Sequence, residues 1–100
     1  MAKKAKSYTA LCAGVSPLTT LQKRAIVLQA FVHKCMNQVL IANNIKTEKY
    51  FWFAFTKCYK EGLITKKCHD KCIIINDAGN TVKHEDVQIA CDFLEAEFNA

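Results

Sequence analysis

Cysteine and histidine are the side chains of this sequence with the widest range of chemistry. The segment CHDKC (68–72) places two cysteines and a histidine together, and Cys58 and His33 are further candidates to join them. Thiolate and imidazole are ligands that zinc prefers in proteins. The segment lacks a clean Cys-x-x-Cys pair, and His33 and Cys35 would diverge on a helix, so that they cannot chelate together. The sequence therefore predicts no metal site and no cofactor.

Other catalytic patterns are missing from the sequence as well. There is no glycine-rich phosphate loop and no recognisable serine or cysteine nucleophile motif. No pair of carboxylates stands in a recognisable catalytic frame. We therefore predict that the protein is not an enzyme.

The cysteines and the N-terminal segment together indicate a compartment. The six cysteines are mostly spread singly through apolar patterns, where a thiol behaves as a small hydrophobe. The apolar segment that follows the first lysines, Tyr8–Val15, is at the short end for a secretion signal. No apolar run reaches the ~18 residues that span a bilayer. The sequence predicts an intracellular, cytoplasmic protein with no membrane partner and with a basic flexible tail over residues 1–15.

Charge is strongly segregated along the chain, whose formal net charge is +5. Residues 1–76 hold 13 of the 14 Lys and Arg residues against three acids, whereas residues 77–100 hold one lysine against six acids. A basic body with an acidic last segment favours a surface that faces a polyanion. A lysine-rich surface that is merely solvated is the alternative. Because only one of the cations is arginine, DNA binding would have more affinity than base specificity.

An apolar helical stripe dominates the first half of the chain. Ser16-Pro17 is typical of a helix start, and Asn43-Asn44 is typical of a helix end. Between them, apolar residues recur at spacings of three and four: Leu18, Leu21, Ala25, Leu28, Val32, Cys35, Val39 and Ala42. The stripe predicts either one long helix or two shorter ones with a subtle bend. It would serve a monomer core or a homodimer equally well.

A second helix is expected next, with Thr47 as its cap and Gly62 as its terminator. The segments 63–65 and 72–76 (LIT and CIIIN) have β-type composition, and DAGN at 77–80 is a turn cluster. Residues 85–99 have the pattern of an amphipathic helix. The predicted fold class is α+β and mostly α. Its elements are a long first helix, a second helix, a β-hairpin and a C-terminal helix.

The order of these elements over Val39–Gly79 resembles the helix-turn-helix and wing of the winged helix-turn-helix superfamily. The family's pattern places apolar residues four, seven, eight and eleven positions after the cap, which here are Phe51, Ala54, Phe55 and Cys58. The turn lacks the family's usual glycine, and the first helix is longer than the family's. The resemblance implies one winged-helix-like domain over residues 16–100, with the β-hairpin as its wing.

In such a domain the second helix enters the major groove of duplex DNA, and the wing touches phosphates or the minor groove. The resemblance therefore implies a small basic nucleic-acid-binding protein, a transcriptional regulator. Its contacts would come from two sets of residues. The second helix would supply Lys49, Thr56, Lys57 and Lys60, and the wing would supply Lys66, Lys67, His69 and Lys71.

Tyr50, Trp52 and Phe53 do not fit a groove-reading helix. Groove-facing positions normally hold small polar residues or Arg, Asn and Gln, whose donors and acceptors match base edges. The three aromatics could instead stack on unpaired bases, anchor a protein partner, or be buried by the first and last helices. The second predicted function is therefore a protein-interaction module, an adaptor or inhibitor of a larger complex, with these three residues as its anchors.

Overall fold

Four helices make up the described part of the chain. A computed structural model describes residues 20–78 and 83–99. The helices, in chain order, are α1 (Thr20–Ala42), α2 (Phe51–Lys60), α3 (Lys66–Asn76) and α4 (His84–Phe98). α1 packs against each of the other three helices, and one apolar core lies between all four. No strand occurs among these residues, so the predicted α+β fold class is wrong.

α1 confirms the first predicted helix as one continuous element. Its buried side chains are three or four residues apart and form the centre of the core: Ala25, Leu28, Val32, Met36 and Leu40. Just beyond the helix, Asn44 has a left-handed backbone with φ of 60°, a conformation that asparagine tolerates. The predicted helix start at Ser16-Pro17 and the basic tail over residues 1–15 lie outside the described residues.

By length and composition alone, α1 could cross a membrane, with a mean hydropathy of 1.3 over an 18-residue window. The sequence predicts no span, because no uninterrupted apolar run reaches ~18 residues. The core helix of a globular protein passes the same test, and α1 packs against three other helices. The absence of a membrane partner stays a prediction.

α2 begins later than the sequence predicts, and the cap predicted at Thr47 is wrong. The residue before the helix is Tyr50, whose side chain makes no capping hydrogen bond. The reason is that α1 holds the backbone of Glu48. The Asn37 amide donates to the Glu48 carbonyl oxygen and accepts from the Glu48 N–H, both at 3.0 Å, and His33 Nε2 lies 2.9 Å from the same carbonyl. These bonds tie the Glu48 backbone to α1, and the helix begins only at Phe51.

The inward side and the end of α2 are as predicted. The expected core positions are all buried: Phe51, Ala54, Phe55 and Cys58. Gly62 follows the helix with φ of 73°, and its N–H donates to the carbonyl of Tyr59 at 3.0 Å. Because this left-handed conformation favours glycine, the terminator was readable from the sequence.

α3 occupies the segment for which the sequence predicted a β-hairpin wing, and that prediction is wrong. Thr65 Oγ1 accepts a hydrogen bond from the backbone N–H of Cys68 at 3.1 Å and caps the helix. Cys68, Cys72 and Ile75 are buried at helical spacings of four and three. The isoleucine run at 73–75 favours a strand, but burial against neighbouring helices overrides such propensities. Without a wing, the described residues do not form a winged-helix domain.

Replacing Thr65 with alanine is expected to lower the free energy of unfolding by about 1 kcal/mol, because α3 loses its side-chain cap. Thr47→Ala is the matched control, since Thr47 is exposed and begins no helix. The control should change the free energy of unfolding by less than about 0.5 kcal/mol. Urea denaturation followed by circular dichroism measures both variants. Equal losses would contradict the assignment of Thr65 as the cap.

α4 confirms the last predicted helix, and Arg24 ties it to α1. The inward residues of α4 are buried in the core: Val87, Ala90, Cys91 and Leu94. Arg24 Nε donates to Glu95 at 2.8 Å, and Arg24 Nη2 donates to Asp92 at 2.6 Å. Of the turn predicted at 77–80, the first half is a turn and the rest lies outside the described residues.

The Arg24 guanidinium holds the pKa of the Glu95 carboxyl below its ordinary value of 4.5. Such a carboxylate stabilises the fold above its ordinary pKa, and this contribution is lost as the pH falls through the lowered value. Glu95 is 34% exposed, so solvent screening limits the contribution to about 1 kcal/mol or less. We expect Arg24→Gln to be less stable than the wild type at neutral pH, with the difference shrinking below pH 4.5. A difference in urea denaturation that is independent of pH would contradict this account.

Candidate functional site

Four exposed aromatic residues, one just before α2 and three on the outward side of the helix, form a surface that we call the aromatic face. Tyr50 is 58% exposed, Trp52 43%, Phe53 53% and Tyr59 36%. α2 packs chiefly against α1 and α3, which cover its opposite side. The alternative in which the first and last helices bury both sides of α2 is therefore excluded.

Helical spacing makes the aromatic face continuous. Trp52, Thr56 and Tyr59 follow one line along the helix, and Phe53, Thr56 and Lys60 follow the next. Thr56 lies between the two lines, and its Oγ1 is buried with no hydrogen-bond partner among the described residues. The aromatic face is therefore one surface, about two helical turns long, and not four separate side chains.

Contacts with neighbouring rings fix the orientation of the face. Trp52 packs edge to face against the buried Phe55, with ring centroids 5.2 Å apart. Tyr59 stacks on His69 of α3, with centroids 4.4 Å apart. Because these rings are already held, binding would immobilise few rotatable bonds, which is the property of a preorganised surface.

The N-terminal end of the face is held through Glu48. This residue, fixed to α1 by the hydrogen bonds described above, precedes the face by two positions. Tyr50 meets Phe53 edge to face at 6.1 Å, and Lys49 Nζ lies 5.6 Å from the centre of the Tyr50 ring. The side chains of α1 thus position the start of the aromatic face.

The residues predicted to contact nucleic acid are not brought together as a helix and a wing. Four of them lie on or beside the aromatic face: Lys49, Thr56, Lys57 and Lys60. The four predicted for the wing lie on α3: Lys66, Lys67, His69 and Lys71. Their placement on a wing tip is wrong for the same reason as the wing itself.

Several of these lysines already interact within the chain. Lys57 pairs with Glu48 at 2.5 Å, and Lys66 pairs with Asp70 at 2.9 Å. Lys67 Nζ lies 5.2 Å from the ring centre of a phenylalanine on α4. Each acid cancels a charge that a phosphate would otherwise meet, so the basic surface is weaker than the sequence suggests.

A cavity of about 270 Å³ borders the aromatic face on the side of Phe53. Its walls also include charged residues of both signs. The full lining is Glu48, Phe53, Thr56, Lys57, Lys60 and Glu61. An aromatic wall beside two lysines and two acids suits a side chain of a polypeptide.

The described cysteines are all free thiols, and four of the five are buried. A hydrogen bond with Cys68, together with burial, raises the pKa of the Cys72 thiol. Burial raises the pKa of the Cys58 and Cys91 thiols as well. These three thiols are protonated at neutral pH and act as small hydrophobes. Within the part of the chain that the structure describes, no group of three His, Cys, Asp or Glu side chains could hold a metal ion.

A second depression, of about 560 Å³, lies between α1 and the C-terminal end of α4 and was not predicted from the sequence. Val27, which is 70% exposed, and Phe31, which is 37% exposed, form much of its apolar lining. The only signal in the sequence was that these two residues lie beside the apolar stripe of α1. Nothing in the structure shows what covers this depression.

Only the helical part of the pattern that resembles the winged helix-turn-helix superfamily agrees with the structure. The buried positions of α2 match the family's offsets, but any amphipathic helix has such offsets. The segment that should form the wing is α3. Comparison of the chain with protein-family models, with curated proteins and with solved structures finds no match.

Proposed function

We propose that the chain is a small helical protein-interaction module whose docking surface is the aromatic face. The observation that supports this proposal is that Trp52, Phe53 and Tyr59 on α2, and Tyr50 just before it, all remain at least 36% exposed. Contiguous exposed apolar patches rimmed by polar residues often mark sites of protein–protein interaction. An adaptor or an inhibitor of a larger complex would use such a surface.

The residue types support a protein partner on energetic grounds. Tryptophan and tyrosine are over-represented among the few interface residues that carry most of the binding energy. Trp52 and Tyr59 are already oriented by Phe55 and His69, so little conformational entropy is lost when a partner covers them. The core beneath them would act as a rigid support.

Nucleic-acid binding is the second candidate, and the excess of lysine favours it. Residues 20–78 hold ten Lys and Arg residues against four acids, and aromatic rings can stack on unpaired bases. A transcriptional regulator that reads duplex DNA is less well supported. The described residues form no wing, acids neutralise Lys57 and Lys66, and the ring of Phe53 cannot match the polar edges of bases.

Affinity capture with matched variants tests the proposal. We expect wild-type protein to capture a polypeptide from nuclease-treated extract of the native cells, and the Trp52→Ala variant to lose it. Ile89→Ala is the control, because Ile89 is as exposed as Phe53 but lies on α4. Loss of the same polypeptide with the control, or equal capture by all three proteins, would contradict the proposal.

Titration with generic duplex DNA separates the two candidates. A binder that neutralises about six phosphates should lose roughly a thousandfold in affinity between about 50 and 200 mM salt. We expect the protein to show no such binding, because its lysines do not form a continuous track along the face. Tight DNA binding with this salt dependence, unchanged in Trp52→Ala, would instead support the nucleic-acid candidate.

A further inference from the structure

Two lysines bracket the aromatic face and lack an acid partner. Lys49 lies just before α2, and Lys60 is the last residue of the helix. Both are exposed, and neither forms an ion pair with a described residue. Lys57, which lies between them in the sequence, is already paired with Glu48. The unneutralised charges therefore stand at the two ends of the face.

The length of α2 sets the scale of the spacing between these charges. A rise of about 1.5 Å per residue from Phe51 to Lys60 makes the helical part of the face roughly 14 Å long, and Lys49 lies two non-helical residues before it. Between the ends, the outward residues are aromatic except for Thr56, whose hydroxyl is buried, and Lys57, which is paired with Glu48. Along the face, the unpaired side chains are therefore a positive charge, then apolar rings, then a second positive charge.

We propose that the partner covers the aromatic face with an acidic amphipathic segment. Apolar side chains of that segment would pack on the face, and a carboxylate near each end would pair with Lys49 and Lys60. Carboxylates separated by roughly 14–20 Å are about nine to thirteen residues apart in a helix or about four to six in a strand. This inference rests on the proposed function of the aromatic face and adds the chemistry of the partner.

A phosphate backbone is less complementary to this arrangement than a carboxylate-bearing polypeptide. Nucleic acids present closely spaced charges and are bound by cations that follow the strand. Here the two unpaired cations stand at the ends of the face and are separated by apolar rings. Charges that are complementary at the two ends mainly raise the association rate and fix the orientation of the partner. We therefore expect Lys49 and Lys60 to orient an acidic segment on the face.

Selection from a random peptide library tests the inference without knowledge of the natural partner. Peptides about 16 residues long would span the face in either conformation. The wild-type protein is the bait, and two double variants are used to test the selected peptides. Lys49→Glu/Lys60→Glu reverses the end charges, and Trp52→Ala/Phe53→Ala removes the centre of the face. Lys23→Glu/Lys34→Glu, on exposed positions of α1, is the control with the same change in net charge.

We expect the selected peptides to be rich in Asp and Glu flanking apolar anchors. Their affinity for Lys49→Glu/Lys60→Glu should fall about tenfold or more at low salt, with a smaller difference at high salt. Lys23→Glu/Lys34→Glu should change the logarithm of the affinity by less than half as much as Lys49→Glu/Lys60→Glu does, because its charges lie outside the face. Circular dichroism confirms that each variant is folded.

The remaining outcomes contradict the inference in distinguishable ways. Selected peptides without excess acid, or an equal effect of the two lysine pairs, would show that the partner is not acidic while leaving the aromatic face as a docking surface. Undiminished binding to Trp52→Ala/Phe53→Ala would overturn the proposed function itself. No selected peptide at all, or tighter binding to a single-stranded oligonucleotide than to any peptide, would overturn both.

Discussion

Replacement of Phe55 with alanine is expected to lower the free energy of unfolding by about 3–5 kcal/mol. Phe55 is fully buried, and its ring contacts those of Phe51 at 4.8 Å, Trp52 at 5.2 Å and His69 at 5.5 Å. It therefore joins the core to the underside of the aromatic face. Since small domains are stable by about 5–15 kcal/mol, this one change should leave the protein close to unfolding.

The control for this prediction lies two residues away on the same helix. Phe53→Ala removes the same side chain from a position that is 53% exposed, so its effect on unfolding should be within about 0.5 kcal/mol. Urea denaturation of both variants, followed by circular dichroism, makes the comparison. Similar losses for the two phenylalanines would contradict the assignment of inward and outward sides of α2.

Replacement of Trp52 with alanine is expected to weaken binding of the captured partner by about 30-fold or more. This factor corresponds to the roughly 2 kcal/mol that defines an interface residue of large effect. Trp52 is the only tryptophan of the chain, so its fluorescence reports binding of the wild type directly. Calorimetry gives the affinity of the variant, in which that signal is missing.

Because Trp52 also packs on Phe55, a loss of binding must be separated from a loss of fold. Phe53→Ala serves this purpose, since Phe53 makes no ring contact with the buried residues of α2 and should weaken binding without unfolding the protein. Ile89→Ala on α4 should leave the affinity unchanged. If Ile89→Ala weakened binding as much as Trp52→Ala, the docking surface would lie elsewhere.

The helical parts of the fold were predictable because their signals are local. The spacing of apolar residues identified the buried residues of α2, and Gly62 marked the end of that helix. In α1 the buried line continues from Val32 through Met36 and Leu40, whereas Ala42 of the predicted stripe is exposed. The sequence leaves the exposure of Trp52 and Phe53 open. This exposure depends on which helices cover α2, and no local pattern in the sequence contains that information.

The wrong predictions of the Thr47 cap and of the β-hairpin wing have a common cause, because both segments are shaped by contacts with residues distant in the sequence. Thr47 and Thr65 have equally good cap chemistry, but only Thr65 caps a helix, because Asn37 and His33 of α1 hold the chain next to Thr47 in another conformation. The segment that forms α3 has the β-branched composition of a strand. The segment is nevertheless a helix, because its apolar residues are buried at helical spacing against the other helices.

Photo-cross-linking tests the location of the docking surface most directly. A benzophenone amino acid would replace Phe53 in one protein and Ile89 in another, at positions that are equally exposed on α2 and α4. After irradiation in native cell extract, we predict a covalent adduct with a polypeptide from position 53 and none from position 89. An adduct from position 89 alone, or the absence of any adduct from position 53, would contradict the assignment of the aromatic face as the docking surface.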